Sequence, residues 1–152
     1  MSCKAALSCN SPNAFDADIG LIARAAQDAG ADALTIANTY PAMAVDVRSL
    51  KSRLGNLTGG LSGPAIKPIT LRLVWEAKKA VRIPIIGLGG IEAVEDVLEY
   101  LSVGASAVQV GTASFADPKA SERLASTLTK ALVRLKYSNI NDIRGKIITE
   151  NG

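Results

Sequence analysis

PIIGLGGIEAVEDVLEYL, residues 84–101, passes from a short apolar run through Gly87, Gly89 and Gly90 directly into an amphipathic stretch. Strand, tight turn, helix is the order this implies, with the glycines where the chain reverses. Glycine there has two readings. It serves either a tight packing turn or a backbone that a phosphate approaches closely.

Outward from this stretch the pattern recurs as strand then helix, four times in all. Before it, AALSC (residues 5–9) reads as a first strand closed by Asn10, Ser11, Pro12 and Asn13. DADIGLIARAAQDAG follows with Ile19, Ile22, Ala23, Ala26 and Ala29 at helical spacing and Gly30 as its C-terminal cap. ADALTIANT is the second strand. A connection from Tyr40 to about Gly63, rich in Gly, Ser and Asn, reads as a lid or binding loop. The second helix begins near Pro64 and runs through LRLVWEAKKA, with Leu71, Val74 and Trp75 expected to face the sheet and Arg72, Glu76 and Lys79 outward. IPIIG is the third strand and SAVQVGT the fourth. A last helix is expected around residues 121–135, with a short closing helix or turn in KYSNINDIRGKI.

Alternating units with near-continuous apolar strands imply an α/β fold with a parallel sheet. The helix-to-strand returns GADA (30–33) and GASA (104–107) resemble each other, as in a repeat of βα units, and favour a barrel-type sheet over a doubly wound one. At 152 residues the chain reads as one domain, 1–152.

Composition narrows the function. Net charge is +3 without a dense Lys/Arg tract or interleaved aromatics, so no nucleic acid is expected. No apolar run is long enough for a membrane span, and MSCKAALSCN lacks a signal-peptide core, so the expected location is cytoplasmic. The chain has no histidine, which removes Ser-His-Asp and Cys-His catalysis. Cys3 and Cys9 fit no zinc or redox spacing, and no metal site is expected.

GLGG is neither GxGxxG nor a Walker loop. One βα unit later VQVGTA ends in Gly111-Thr112, again at a strand end. In (β/α)-barrels the loops after the last two strands commonly build a phosphate site, and the pair of turns favours that reading. Thr112 would add a hydroxyl donor, while Glu92 and Glu95 would compete for the same helix N-terminus.

ADALTIANT, TGGLSGPAIKPITLRLVWE and IPIIGLGGIEAVEDVLEYLSVGASAVQVGTASF together resemble the C-terminal half of family 1 dihydroorotate dehydrogenases, best the 1B catalytic subunit. The likeness is dense from about residue 11 to 115. It implies four βα units of a TIM (β/α)8 barrel and an FMN-dependent oxidoreductase of pyrimidine biosynthesis, converting dihydroorotate to orotate. It implies that Gly89-Gly90 and Gly111-Thr112 hold the flavin phosphate, that Gly63 lies beside the cofactor, and that the backbone of Ala37 touches it. Asn38-Thr39 would hydrogen-bond the dihydroorotate or orotate ring, an amide suiting an imide edge because it both donates and accepts. The flavin barrel of dihydropyrimidine dehydrogenase shares much of the pattern.

Two departures matter. The family reads close to VKLSPN where this chain has LSCNSPN, which sets Cys9 at the position of a lysine beside the flavin ring. Lys4, five residues earlier, starts roughly 16 Å away along an extended strand and on the opposite face. The family's catalytic cysteine belongs to the half of the barrel that precedes this segment, so Cys3 and Cys9 are not assigned that role and no catalytic residue is named. The expected function is therefore the FMN-binding part of a dihydroorotate dehydrogenase, inactive alone. The alternatives are a non-catalytic phosphate- or flavin-binding half-barrel and a dihydropyrimidine dehydrogenase-like fragment. Expected partners are the N-terminal half-barrel or a second copy, and the family's FAD and iron–sulfur electron-transfer subunit. Open sheet edges at AALSC and SAVQVGT, with Leu34, Ile36, Ile85, Val108 and Val110 on a face left uncovered, predict that the chain is not a stable monomer.

Overall fold

The computed structural model describes residues 18–148. The predicted strand over residues 5–9, with Lys4, Cys3 and Cys9, lies outside them. Helix α1 (Ile19–Asp28) starts at Asp18, whose carboxylate accepts from the amides of Gly20 (2.8 Å) and Leu21 (3.2 Å). It ends in a Schellman motif: Gly30 N–H reaches the Gln27 carbonyl and Ala31 N–H the Ala26 carbonyl, with Gly30 at φ +89°. α3 (Val94–Ser102) ends in the same way, with Gly104 bonded to Leu101 and Ala105 to Tyr100. The repeated GADA and GASA segments are thus two copies of one helix stop.

β1 (Leu34–Ile36), β6 (Ile85–Leu88) and β7 (Ala107–Gln109) form a parallel sheet in the order β1-β6-β7. Leu34 aligns with Ile85, and Gly87 with Val108. α2 (Lys67–Ala80), entered through a 3-10 turn at Pro64–Ile66, packs on β6 and β1 and against α1. α3 packs on β7 and on α5 (Ala120–Arg134). α4 (Ala113–Ala116) is a single turn after β7, and a second 3-10 turn, Ile140–Asp142, closes the described chain.

The 40–63 connection is more ordered than a loop. β2 (Tyr40–Ala42) pairs antiparallel with β5 (Gly59–Leu61), and β3 (Val45–Asp46) with β4 (Lys51–Ser52), giving two nested ribbons. Their strands are too short to show an alternating pattern. Val47 and Leu50 at the tip are 80% and 83% exposed, and Met43, Val45 and Leu57 are exposed too. Several large apolar side chains are thus exposed along one pair of ribbons, interleaved with Asp46, Arg48, Lys51 and Arg53.

Two expectations about packing are corrected. The buried face of α2 is Thr70, Leu73, Val74 and Ala77; Leu71 and Trp75 flank it half-buried, and Lys79 stacks on the Trp75 ring at 3.7 Å. In the sheet, Leu34, Ile36 and Ile85 lie on the helix-covered side, essentially without exposure, and Val108 aligns with Gly87 on that side. The half-covered side carries Thr35, Ile86 and Leu88, with Ala107 and Gln109 exposed beside them. Successive strand residues face opposite ways, so an apolar pair such as Ile85-Ile86 leaves the parity open in the sequence.

Candidate functional site

The C-terminal ends of β1, β6 and β7 and the turn after β5 converge on one cleft of about 110 Å³. Asn38 and Thr39 enter from β1, Ser62 and Gly63 from β5, Gly89 and Gly90 from β6, and Gly111 and Thr112 from β7. Seven of the eight residues expected from sequence therefore share one wall system. Ala37 stands behind it: it is buried, and its amide donates to the Leu88 carbonyl at 3.1 Å. Leu88, Ile66, Ile91 and Ala113 give the cleft its apolar part.

The four glycines of the cleft have different physical causes. A Cβ at Gly89 would lie 2.9 Å from Thr70 Cγ2, and φ is +143°. At Gly90 it would lie 2.8 Å from the Gly63 carbonyl oxygen and 3.1 Å from the Lys67 amide nitrogen, with φ at +69°. Gly63 has φ +88° at the start of the 3-10 turn. Gly111 differs: its φ is not positive, and an added Cβ would meet nothing nearer than Leu88 Cδ1 at 4.0 Å. Neither conformation nor packing within the described residues requires glycine there. Gly87, in β6 two positions before Gly89, is glycine because the Tyr100 ring occupies the space a Cβ would take.

Three features of the wall escaped sequence reading. Tyr100, fully buried on α3, donates its hydroxyl to the Gly89 carbonyl at 2.7 Å and shares a hydrogen bond with Thr70. Burial pushes its phenol up to about 12, with Thr70 opposing, so it stays protonated as a donor. Asp96, near the start of α3, accepts from the amides of Glu92 (2.8 Å) and Ala93 (2.7 Å) through one oxygen and from Lys67 Nζ (2.6 Å) through the other. Burial works against ionisation there, but Lys67 and the two amides outweigh it and hold the carboxyl below its ordinary value. The hydrogen bonds to Asp96 and then Glu99 (2.9 Å) raise Lys67 in return. A glycine inside a strand, Gly87, was the one sequence signal for a large side chain close by.

Electrostatically, Asp96 takes the amides that Glu92 and Glu95 were expected to compete for. Glu95 instead pairs with Arg134 at 2.7 Å on the surface. No basic side chain lines the cleft among the described residues; its only ionisable group is Glu92. An anion held there would rest on backbone amides and on the hydroxyls of Thr39, Ser62 and Thr112. The amides of Gly90, Gly111 and Thr112 donate in none of the backbone hydrogen bonds outside the regular elements of the described residues. Asn38 Oδ1 accepts the Thr39 amide at 2.7 Å, which fixes the turn that brings both side chains to the cleft.

A family profile described as dihydroorotate dehydrogenase matches residues 7–132. Among curated proteins, the chain is 49% identical over 137 residues to the dihydroorotate dehydrogenase B (NAD(+)), catalytic subunit, of Pelobacter propionicus, covering 90% of this chain and 44% of that protein. The corresponding subunits of Citrifermentans bemidjiense and Solidesulfovibrio magneticus are 50% and 52% identical over the same length and coverage. The chain thus spans a little under half the length of the curated relatives it matches. No helix among the described residues is long and apolar enough to cross a membrane.

Proposed function

The chain belongs to the dihydroorotate dehydrogenase family, and from that premise we propose that its cleft is the phosphate end of an FMN site in the catalytic subunit of such an enzyme. The observation that carries the reading is Gly111, a glycine that lines the cleft and that neither conformation nor packing among the described residues requires. Gly89, Gly90, Gly111 and Thr112 would hold the phosphate through backbone amides and the Thr112 hydroxyl, a mode suited to a dianion without a basic side chain. Gly63 and Ala37 would flank the cofactor, and Asn38 and Thr39 would take the dihydroorotate or orotate ring. FMN, when bound, supplies the two-electron acceptor that oxidation of dihydroorotate in pyrimidine biosynthesis needs.

This chain's residues bind and orient; the family's proton-abstracting base belongs to the other half of the barrel. Without a general base the rate falls on the order of a hundred- to ten-thousandfold. Turnover is therefore proposed to require that half, on the same polypeptide or another. What supports such a partner is the half-covered sheet face of Thr35, Ile86 and Leu88 and the exposed edge of β7. A separate electron-transfer subunit in the cytoplasm is the proposed partner, because the relatives are named catalytic subunits.

Titration of the full chain with FMN, followed by quenching of flavin fluorescence, tests the reading. Saturable binding that inorganic phosphate displaces is expected. Binding that phosphate does not weaken would place the cofactor's other end in the cleft, and no binding at all would refute the proposal.

A further inference from the structure

The orientation of the Gly89–Gly90 peptide is controlled from behind the cleft. Both residues have positive φ and no Cβ, so their own side chains do nothing to stop that peptide from turning over. A turned peptide would present the Gly89 carbonyl to the cleft, where it repels an anion. In the structure the Gly89 carbonyl instead points to the Tyr100 hydroxyl, 2.7 Å away in the buried layer between α2 and α3. The peptide is trans, so its N–H lies opposite its C=O. With the carbonyl held inward, the Gly90 N–H is turned away from Tyr100, toward the cleft that Gly90 lines.

Resting on the phosphate reading above, we infer that Tyr100 is a positioning residue, whose hydroxyl bond to Gly89 sets the Gly90 amide for the anion. The surroundings hold Tyr100 in turn. Its ring is seated on Gly87, and its oxygen meets Thr70, whose hydroxyl lies 2.9 Å from the Lys67 carbonyl and 3.2 Å from that of Ile66 at the start of α2. The phenol keeps its proton throughout the neutral range, so the donor is always present. Asp96 restrains the next amides of the same turn, at Glu92 and Ala93. The turn is thus pinned at both ends, and the Gly90 amide between the pins is left for a ligand.

The test uses the 15N-labelled full chain, titrated with inorganic phosphate while amide resonances are followed, and FMN titrations of Tyr100→Phe. A control, Val97→Ala, truncates a buried residue on the same helix whose side chain has no group to hydrogen-bond the turn. The expected result is that the Gly90 and Gly111 amides both shift with phosphate, that Tyr100→Phe binds FMN at least tenfold more weakly, and that Val97→Ala binds as the wild type. If Gly111 shifts and Gly90 does not, or if Tyr100→Phe binds within twofold of wild type, the positioning role is overturned while the phosphate site stands. If neither amide shifts and FMN does not bind, the phosphate site falls and this inference with it. Should Tyr100→Phe fail to fold, the wild-type Gly90 amide alone decides.

Discussion

The two turns of the cleft, Gly89-Gly90 and Gly111-Thr112, sit side by side at the ends of neighbouring strands and use glycine for opposite reasons. At Gly90 a methyl group would be driven into the Gly63 carbonyl and the first backbone of α2, neither of which can move without unseating the helix. At Gly111 the same methyl would meet only Leu88 Cδ1, at an ordinary 4.0 Å. One glycine is explained by the described residues around it, the other is not, and it is the other that we read as glycine for a ligand. A glycine motif in a sequence does not separate these cases, and the difference decides which substitution reports on binding and which merely on folding.

Gly90→Val breaks the first half of the comparison. A β-branched residue at φ +69° against backbone atoms should lower stability by roughly 3 kcal/mol or more, read as a fall in the urea midpoint. An unchanged midpoint would mean that the turn has slack and that Gly90, like Gly111, is glycine for a ligand.

Asp96 sharpens the role of the β6 turn. Asp96→Asn removes a charge-assisted contact to Lys67 and weakens two to backbone amides, and should cost on the order of 2 kcal/mol. The pH dependence has a definite sign. The folded carboxyl titrates below its ordinary 3.8, so its stabilisation is present above that value and is lost as pH falls through the lower folded value. Urea midpoints measured from pH 5 to pH 2 should fall more steeply for wild type than for Asp96→Asn. Parallel curves would show that Asp96 does not hold the turn as a carboxylate.

The smallest effect lies away from the cleft. After α5, Lys136 occupies the position that Gly30 and Gly104 fill after α1 and α3, with φ +63° and the same pair of bonds, to Val133 from its own amide and to Leu132 from Tyr137. Lys136→Gly should stabilise by up to about 1 kcal/mol, seen as a small rise in Tm. A fall would show that the lysine side chain contributes more there than its backbone strain removes.

Much of this was legible because the signals are local. Gly30 and Gly104 announce helix stops, IPIIG and AVQV announce strands, and glycines at two successive strand ends mark the cleft. The convergence of Asn38, Gly63, Gly90 and Gly111 followed from the barrel-type reading, since strand ends in a parallel sheet share one edge. What was not legible depends on partners distant in sequence. The parity of Ile85 and Ile86 is hidden because both are apolar, and only the packing of α2 chooses between them. The 40–63 ribbons rest on backbone pairing with little side-chain pattern. Tyr100 looks like one more core residue of an amphipathic helix until its hydroxyl is found on Gly89, eleven positions away.

The central claim, that Gly111 is glycine for a phosphate, is tested most directly by Gly111→Val. FMN affinity and the urea midpoint are measured on the same preparations. The account predicts a midpoint within about 0.5 kcal/mol of wild type, as for a substitution that meets no close neighbour, together with FMN binding weakened at least tenfold. Unweakened FMN binding by a folded Gly111→Val chain would contradict it.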